Sequence, residues 1–332
     1  MAVTIKSSQE IELMRQAGKI LAKVHEGLKK ELKPGMSTLD MDRIGEEMIR
    51  SFGCEPSFKN YQGYPASVCV SINEEVVHGI PRKDRIIEEG DIVSLDTGVI
   101  YKGYQSDAAR THGVGEITED ARLLIERTRQ SFFEGMKYAV AGNHLHDISG
   151  AIGDYAESFG YGVVRDLCGH GIGTHMHEDP EIPNYRKFRR GIKLRAGMTL
   201  AVEPMINLGT ERVVWMDDDW TVVTQDMDLS AHYENTILIR EGKPEILSLT
   251  DLRSPKESGV MIQFCKAYRK EPEDISEMEF ARSKSGHDKN QIYLIKEKDE
   301  KICISGKRND PYPGYAKEKK MQSIFRLSKI YR

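Results

Sequence analysis

The chain repeats itself, and that limits what it can fold into. A shift of 107 residues lays Gly35 on Gly142, Asp40 on Asp147, Met41 on Ile148, Phe52 on Phe159 and Gly53 on Gly160. In the first copy, from Ser7 onward, Ile11, Met14, Ile20, Leu21, Val24, Leu28 and Leu32 recur at helical spacing. Ser7 followed by Glu10 predicts a capping box, and Pro34-Gly35 predicts a stop. A second helix is expected after Ser37 or Thr38, with Met41, Ile44, Met48 and Ile49 on one face, ending at Phe52-Gly53. The segment from Thr118 to Val140 reads as the counterpart of the first long helix. Each helix pair is followed by β-type sequence. The pattern predicts an α+β fold of two helix-pair-plus-antiparallel-sheet halves, residues 6–112 and 117–248, closing around a pseudo-two-fold core with a cleft between them.

Composition removes several classes of protein. No apolar run reaches the ~18–20 residues of a membrane span. The N-terminus MAVTIKSSQE has no signal-type apolar stretch. The five cysteines (Cys54, Cys69, Cys168, Cys265 and Cys303) are scattered without a CxxC pair, against a disulfide framework or zinc ribbon. A cytoplasmic chain acting as a monomer, with no membrane partner, is the expectation. Charge is uneven: residues 278–332 hold 14 Lys/Arg against 7 Asp/Glu, while the remainder carries a net −11. A basic tail on an acidic body predicts a separate module with a polyanionic partner.

The residues suited to chemistry fall on β-type segments. In residues 91–111, DIVSLDTGVIYKGYQSDAART, Lys102-Gly103 reads as a hairpin turn. If Tyr101 pairs with Tyr104, Gly98 lies opposite Asp107, and Asp96 becomes a same-face diagonal neighbour of Asp107. Two close carboxylates on an otherwise apolar strand need a cation or a proton between them. In residues 168–180, CGHGIGTHMHEDP, glycines surround His170, and His175 and His177 are expected to share a strand face. Glu203, just before Pro204, and Glu234, between Tyr233 and Asn235, sit in apolar β-type runs where an unpaired carboxylate is costly. Four interior carboxylates and one histidine suit hard or borderline divalent ions: Mn, Fe(II), Co or Zn. Four anions exceed what one catalytic zinc takes and suit two bridged ions, which activate a shared water.

The run NYQGYPASVCVSINEEVVHGIP, the Asp96/Asp107 hairpin, GHGIG, EPM and the glutamate of HYENT resemble type I methionine aminopeptidases over residues 3–250. The resemblance implies the pita-bread fold and removal of the initiator methionine from nascent proteins with a small second residue. It implies two divalent ions per chain, with Asp96 on one, His170 and Glu203 on the other, and Asp107 and Glu234 bridging both. Glu203 would be the proton acceptor when the bridging water attacks, His177 would bind the substrate carbonyl and oxyanion, and His78 would contact the scissile nitrogen. Tyr61, Tyr64, Cys69, Met176 and Trp220 match the wall of the methionine pocket, an apolar and polarizable lining for a thioether. There are departures. Asn235 stands where histidine is common, which bears on metal affinity, and Phe58 stands at the pocket rim where some members have cysteine. His175 has no carried-over role and is expected to face solvent. The absence of a long insertion between His170 and Glu203 argues against the type II branch.

Residues 251–272 read as a linker. Residues 273–332 alternate like short strands, and SKSGHDKNQIYLI resembles small KOW-type β-barrel proteins similar to ribosomal proteins. That likeness implies RNA or ribosome contact, with Lys/Arg on phosphates and tyrosines on bases. Two rivals stand against the main reading. One is an X-Pro peptidase of the same fold, whose usual additional N-terminal domain is not seen before the first helix. The other is a non-catalytic ribosome- or RNA-binding protein, which would have lost ligands where this chain keeps all five.

Overall fold

The computed structural model describes residues 3–249 and, as backbone, the strands Glu279–Arg282, Ile292–Lys298 and Lys301–Ser305. The chain divides into two compact units, Met1–Leu252 and Arg253–Arg332. In the second unit the three strands pair antiparallel in sequence order. The expected linker, and the closed barrel expected beyond it, lie outside the described residues.

The four helices of the first unit begin where side chains cap them. Helix α1, Ser8–Glu31, has Ser7 at its N-cap, with the reciprocal Ser7–Glu10 bonds of a capping box. Helix α2, Thr38–Ser51, repeats the device with Ser37 and Asp40. Helix α3, Glu119–Met136, is capped by Thr118, whose hydroxyl accepts from the Ala121 N–H. At α4, Leu145–Glu157, the Asp147 carboxylate accepts from the His144 N–H as Asp40 does from Ser37.

The 107-residue offset carries the start of α2 onto the start of α4. The flanking glycines obey it too: Gly35 and Gly142 have φ of 86° and 98°, and Gly53 and Gly160 have φ of 70° and 82°. No neighbour crowds these four positions, so glycine is there for the left-handed backbone alone. The offset fails at the first helix of each half, because α1 has 24 residues and α3 has 18.

In the first half, α1 and α2 lay Leu21, Val24, Leu28, Met41 and Ile49 on Val70, Ile72, Val93 and Leu95 of the sheet. That sheet is built on the hairpin Ile92–Tyr101/Tyr104–Gly113, flanked by Cys69–Ile72 and Glu55–Pro56. The register is Tyr101 opposite Tyr104 and Gly98 opposite Asp107, as the turn predicts. In the second half, Phe132, Leu145, Ile148 and Ile152 of α3 and α4 pack on Ile182, Leu200, Val202 and Ile237. Its five-stranded sheet runs in the order Glu245–Ile246, Asn235–Leu238, Thr199–Val202, Gly169–Gly171, Glu178–Ile182. The halves meet where Thr236 Oγ1 both accepts from the Asp107 N–H at 2.8 Å and donates to the Asp107 carbonyl at 2.9 Å. The Glu234 N–H donates to the Ala109 carbonyl beside it. That seam places one half's aspartate next to the other half's glutamate.

Candidate metal centre

A cavity of about 230 Å³ opens at the seam, lined by Asp96, Asp107, His170, Glu203 and Glu234 from both halves. Asp96 and Asp107 face it from the hairpin, as the diagonal relation requires. His170 comes from the short strand Gly169–Gly171, which must stay narrow. A Cβ at Gly169 would lie 2.4 Å from the Ala201 carbonyl oxygen, and one at Gly171 would lie 2.2 Å from that of Asp179. Glu203 follows the last residue of Thr199–Val202, rather than lying within the strand, and its carbonyl accepts from Asn184 Nδ2. Glu234 sits in the break between Ser230–His232 and Asn235–Leu238 and is 2% exposed.

Ligand atoms of Asp107, His170 and Glu234 lie within 4.8 Å of one another, and His170 Nε2 is 3.6 Å from a Glu203 carboxylate oxygen. The His170 Nδ1–H donates to the Gly171 carbonyl, leaving the Nε2 lone pair toward the carboxylates. Burial first, and then His177, pushes the His170 pKa down to about 3, so the imidazole is neutral and fit to ligate. Burial, reinforced by Asp107, pushes Asp96 and Glu203 well up, and Glu234 likewise, while Asp107 is pushed up to about 7 by burial. Asp96 Oδ1 and Glu234 Oε1 are buried with no hydrogen-bond partner. Four carboxyl groups, two of them with an orphaned oxygen, and one neutral imidazole form a donor set that fits divalent cations.

The remaining expected site residues line the same cavity: Phe58, Tyr61, Tyr64, Cys69, His78, Met176, His177 and Trp220. Trp220 meets Tyr64 edge-on at 5.1 Å and His78 at 6.0 Å. His78 holds a φ of 59°, and Gly79 beside it approaches so closely that a Cβ would sit 2.4 Å from the Val70 carbonyl oxygen. This strained turn aims the imidazole inward. Burial lowers His78 to about 4, with His177 adding to the effect. His177 Nδ1 is 2.7 Å from the Tyr61 hydroxyl.

The strand face expected for His175 and His177 needs revision. His175 and His177 do not share a strand face, because residues 172–177 form a loop of bends between Gly169–Gly171 and Glu178–Ile182. His177 reaches the cavity from that loop, whereas His175 is exposed and outside it. Asn235 turns away from the cavity: its Oδ1 accepts from Arg110 Nη2 at 2.6 Å and from the Ser248 hydroxyl at 3.1 Å. Arg110 also donates to the Glu234 carbonyl and stacks 4.5 Å from the Tyr233 ring centroid, so it braces the backbone that carries Glu234. The sequence reading missed His232, which lines the cavity with both ring nitrogens unpartnered. Its position two residues before Glu234 was the available signal.

The model of metallopeptidase family M24 matches residues 12–241. The methionine aminopeptidase of Clostridium acetobutylicum is 57% identical over 249 residues, covering 75% of this chain and all of that protein. Methionine aminopeptidase 1 of Bacillus subtilis is 46% identical, covering 74% of this chain and 99% of its own. The crystal structure of methionine aminopeptidase from Thermotoga maritima superposes with a TM-score of 0.73 at 44% identity, over 75% of this chain and all of that one. A prolidase from Pyrococcus furiosus, at 24% identity and TM-score 0.61 over 74% of this chain and 66% of its own, shares the fold.

The carboxyl shifts predict a pH dependence. Their folded pKa values are raised, so between about pH 4 and 7 the metal-free native state holds protons that the unfolded chain releases. Stability of the chelated protein therefore falls as pH rises through that window, and bound cations remove the fall. Scanning calorimetry at pH 5 and 7.5, with and without Mn²⁺, is the check. A chelated protein whose Tm does not drop relative to the loaded one would contradict the assignment.

Proposed function

The chain belongs to metallopeptidase family M24, and from that premise we propose that it removes the initiator methionine from nascent polypeptides with a small second residue. The observation that carries this reading is a centre of four buried carboxyl groups and a neutral histidine opening directly onto an apolar pocket. That combination suits an exopeptidase that recognises one apolar side chain and hydrolyses the bond next to it. Two divalent ions, Co, Mn, Fe(II) or Zn, would be held there, with Asp96 serving one, His170 and Glu203 the other, and Asp107 and Glu234 both. When bound, they supply Lewis-acid polarisation of the scissile carbonyl and lower the pKa of water.

The chain's own residues do the rest. Phe58, Tyr64, Cys69 and Met176 are buried together, with Tyr61 and Trp220 packed on them, and they receive the methionine side chain. His177, neutral because burial lowers its pKa, accepts from Tyr61 at Nδ1 and so presents an Nε2–H toward the carbonyl oxygen as charge develops. His78, also neutral, orients the scissile nitrogen. Glu203, largely buried beside His170, takes a proton and returns it to the leaving amine.

For the tail, we propose RNA contact through the basic extension 273–332, on its charge alone. Truncation after Thr250 should leave peptide hydrolysis nearly intact while weakening salt-dependent binding to ribosomes. Unchanged ribosome affinity would remove that partner.

Two classes of variant separate the roles. Asp107→Asn or Glu234→Gln should abolish most metal-dependent methionine release from Met-Ala-Ser, and metal content should fall with it. His177→Ala should lower kcat by ~10²–10³ with metal content near wild type, the scale of losing one oxyanion donor. Release from an X-Pro peptide in preference to Met-Ala-Ser, or full activity in Asp107→Asn, would overturn the reading.

A further inference from the structure

A polypeptide substrate whose first side chain fills the cavity must leave it by the open side, and the structure assigns a surface to the departing segment. We propose that the edge strand Val213–Trp215 docks the substrate around its fourth and fifth residues, in extended conformation and with a preference for apolar side chains. This inference rests on the peptidase reading above and deepens it.

The strand is the outer member of a three-stranded sheet in the order Val213–Trp215, Val222–Thr224, Glu75–Val77. One cross-strand row of that sheet runs Trp215, Val222, Val77. Val77 lines the cavity and is followed by His78, and Val222 is fully buried. At the outer end of the row Trp215 is 48% exposed, so the apolar row that starts at the cavity wall passes through the core at Val222 and surfaces again at the sheet edge. The turn of the same hairpin carries Trp220, another cavity residue.

The distances agree with a peptide path. Neighbouring strands lie ~4.8 Å apart, so Trp215 stands about 10 Å from Val77 across the sheet. An extended chain rises ~3.3 Å per residue, so about three residues span that gap and bring the fourth residue beside Trp215, where the chain turns to run along the edge strand.

The backbone is also available. The Met216 N–H donates to the Thr221 carbonyl and the Gln225 N–H to the Arg212 carbonyl. Antiparallel ladders alternate bonded and non-bonded pairs, so the Trp215–Val222 and Val213–Thr224 pairs are the non-bonded ones. The N–H and C=O groups of Val213 and Trp215 therefore point to the outer edge, where no described strand pairs with them. A strand edge with free peptide groups and one large apolar side chain is the arrangement that binds an extended peptide by strand addition.

The test compares two hexapeptides that share the first three residues, Met-Ala-Ser-Val-Leu-Lys and Met-Ala-Ser-Ser-Asn-Lys, on the metal-loaded full chain. Covering part of one indole predicts that wild type favours the first by about fivefold to tenfold in kcat/KM. Trp215→Ser should bring that ratio to about one. Val214→Ser, on the opposite face of the strand, should keep it, which separates face-specific docking from general damage to the hairpin. A wild type that treats the two peptides alike, a ratio that survives Trp215→Ser, or an equal loss in Val214→Ser would overturn the docking edge while methionine release stands. Methionine release from neither peptide would instead overturn the peptidase reading, and this inference with it.

Discussion

Four carboxyl groups packed into one water-poor cavity repel each other, and the structure is organised around what resolves that repulsion. A carboxylate leaving water pays several kcal/mol, and each added anion raises the cost for the others. Proton uptake resolves it one way, which is the condition the raised pKa values describe. Divalent cations resolve it another way, with more charge per site and open positions for a reacting water. The apolar cores beneath the two sheets hold the carboxyl groups in place whichever neutralises them, so the centre is prepared before the cations arrive.

The two-fold design makes that preparation economical. Each half carries its helix pair on the outside of a sheet, and the inner faces meet at the Asp107–Thr236 and Ala109–Glu234 bonds. Neither half alone holds the whole cluster: Asp96 and Asp107 come from one, and His170, Glu203 and Glu234 from the other. Arg110 strengthens the seam, since its guanidinium reaches the backbone of Glu234, the side chain of Asn235 and the carbonyl of Ser248. Asn235 thus belongs to the frame behind Glu234 and does not line the cavity.

What the sequence disclosed follows from which periods are rigid. The 3.6-residue period located the first two helices and the 107-residue repeat carried them to the second pair, while the period of two placed Asp96 and Asp107 on one face because a tight Lys102-Gly103 turn sets the hairpin register. The same period misled at His175 and His177. Glycines at 171 and 173 let the chain bend there, and alternation has no meaning in a loop. His232 escaped notice because the fold, through its pairing with Met205, brings it to the cavity, and only its place two residues before Glu234 pointed there. The pocket wall, gathered from residues 58 to 220, was legible only through its likeness to a family.

If these five side chains hold a pair of divalent cations, the ions must sit in the seam cavity. Anomalous diffraction from Mn²⁺-loaded crystals, collected at the manganese edge, addresses it without reference to activity. Two peaks ~3.5–4 Å apart are expected among Asp96, Asp107, His170, Glu203 and Glu234, with Asp107 and Glu234 between them. A fully loaded, active crystal with no peak in that cavity, or with its manganese elsewhere, would contradict it.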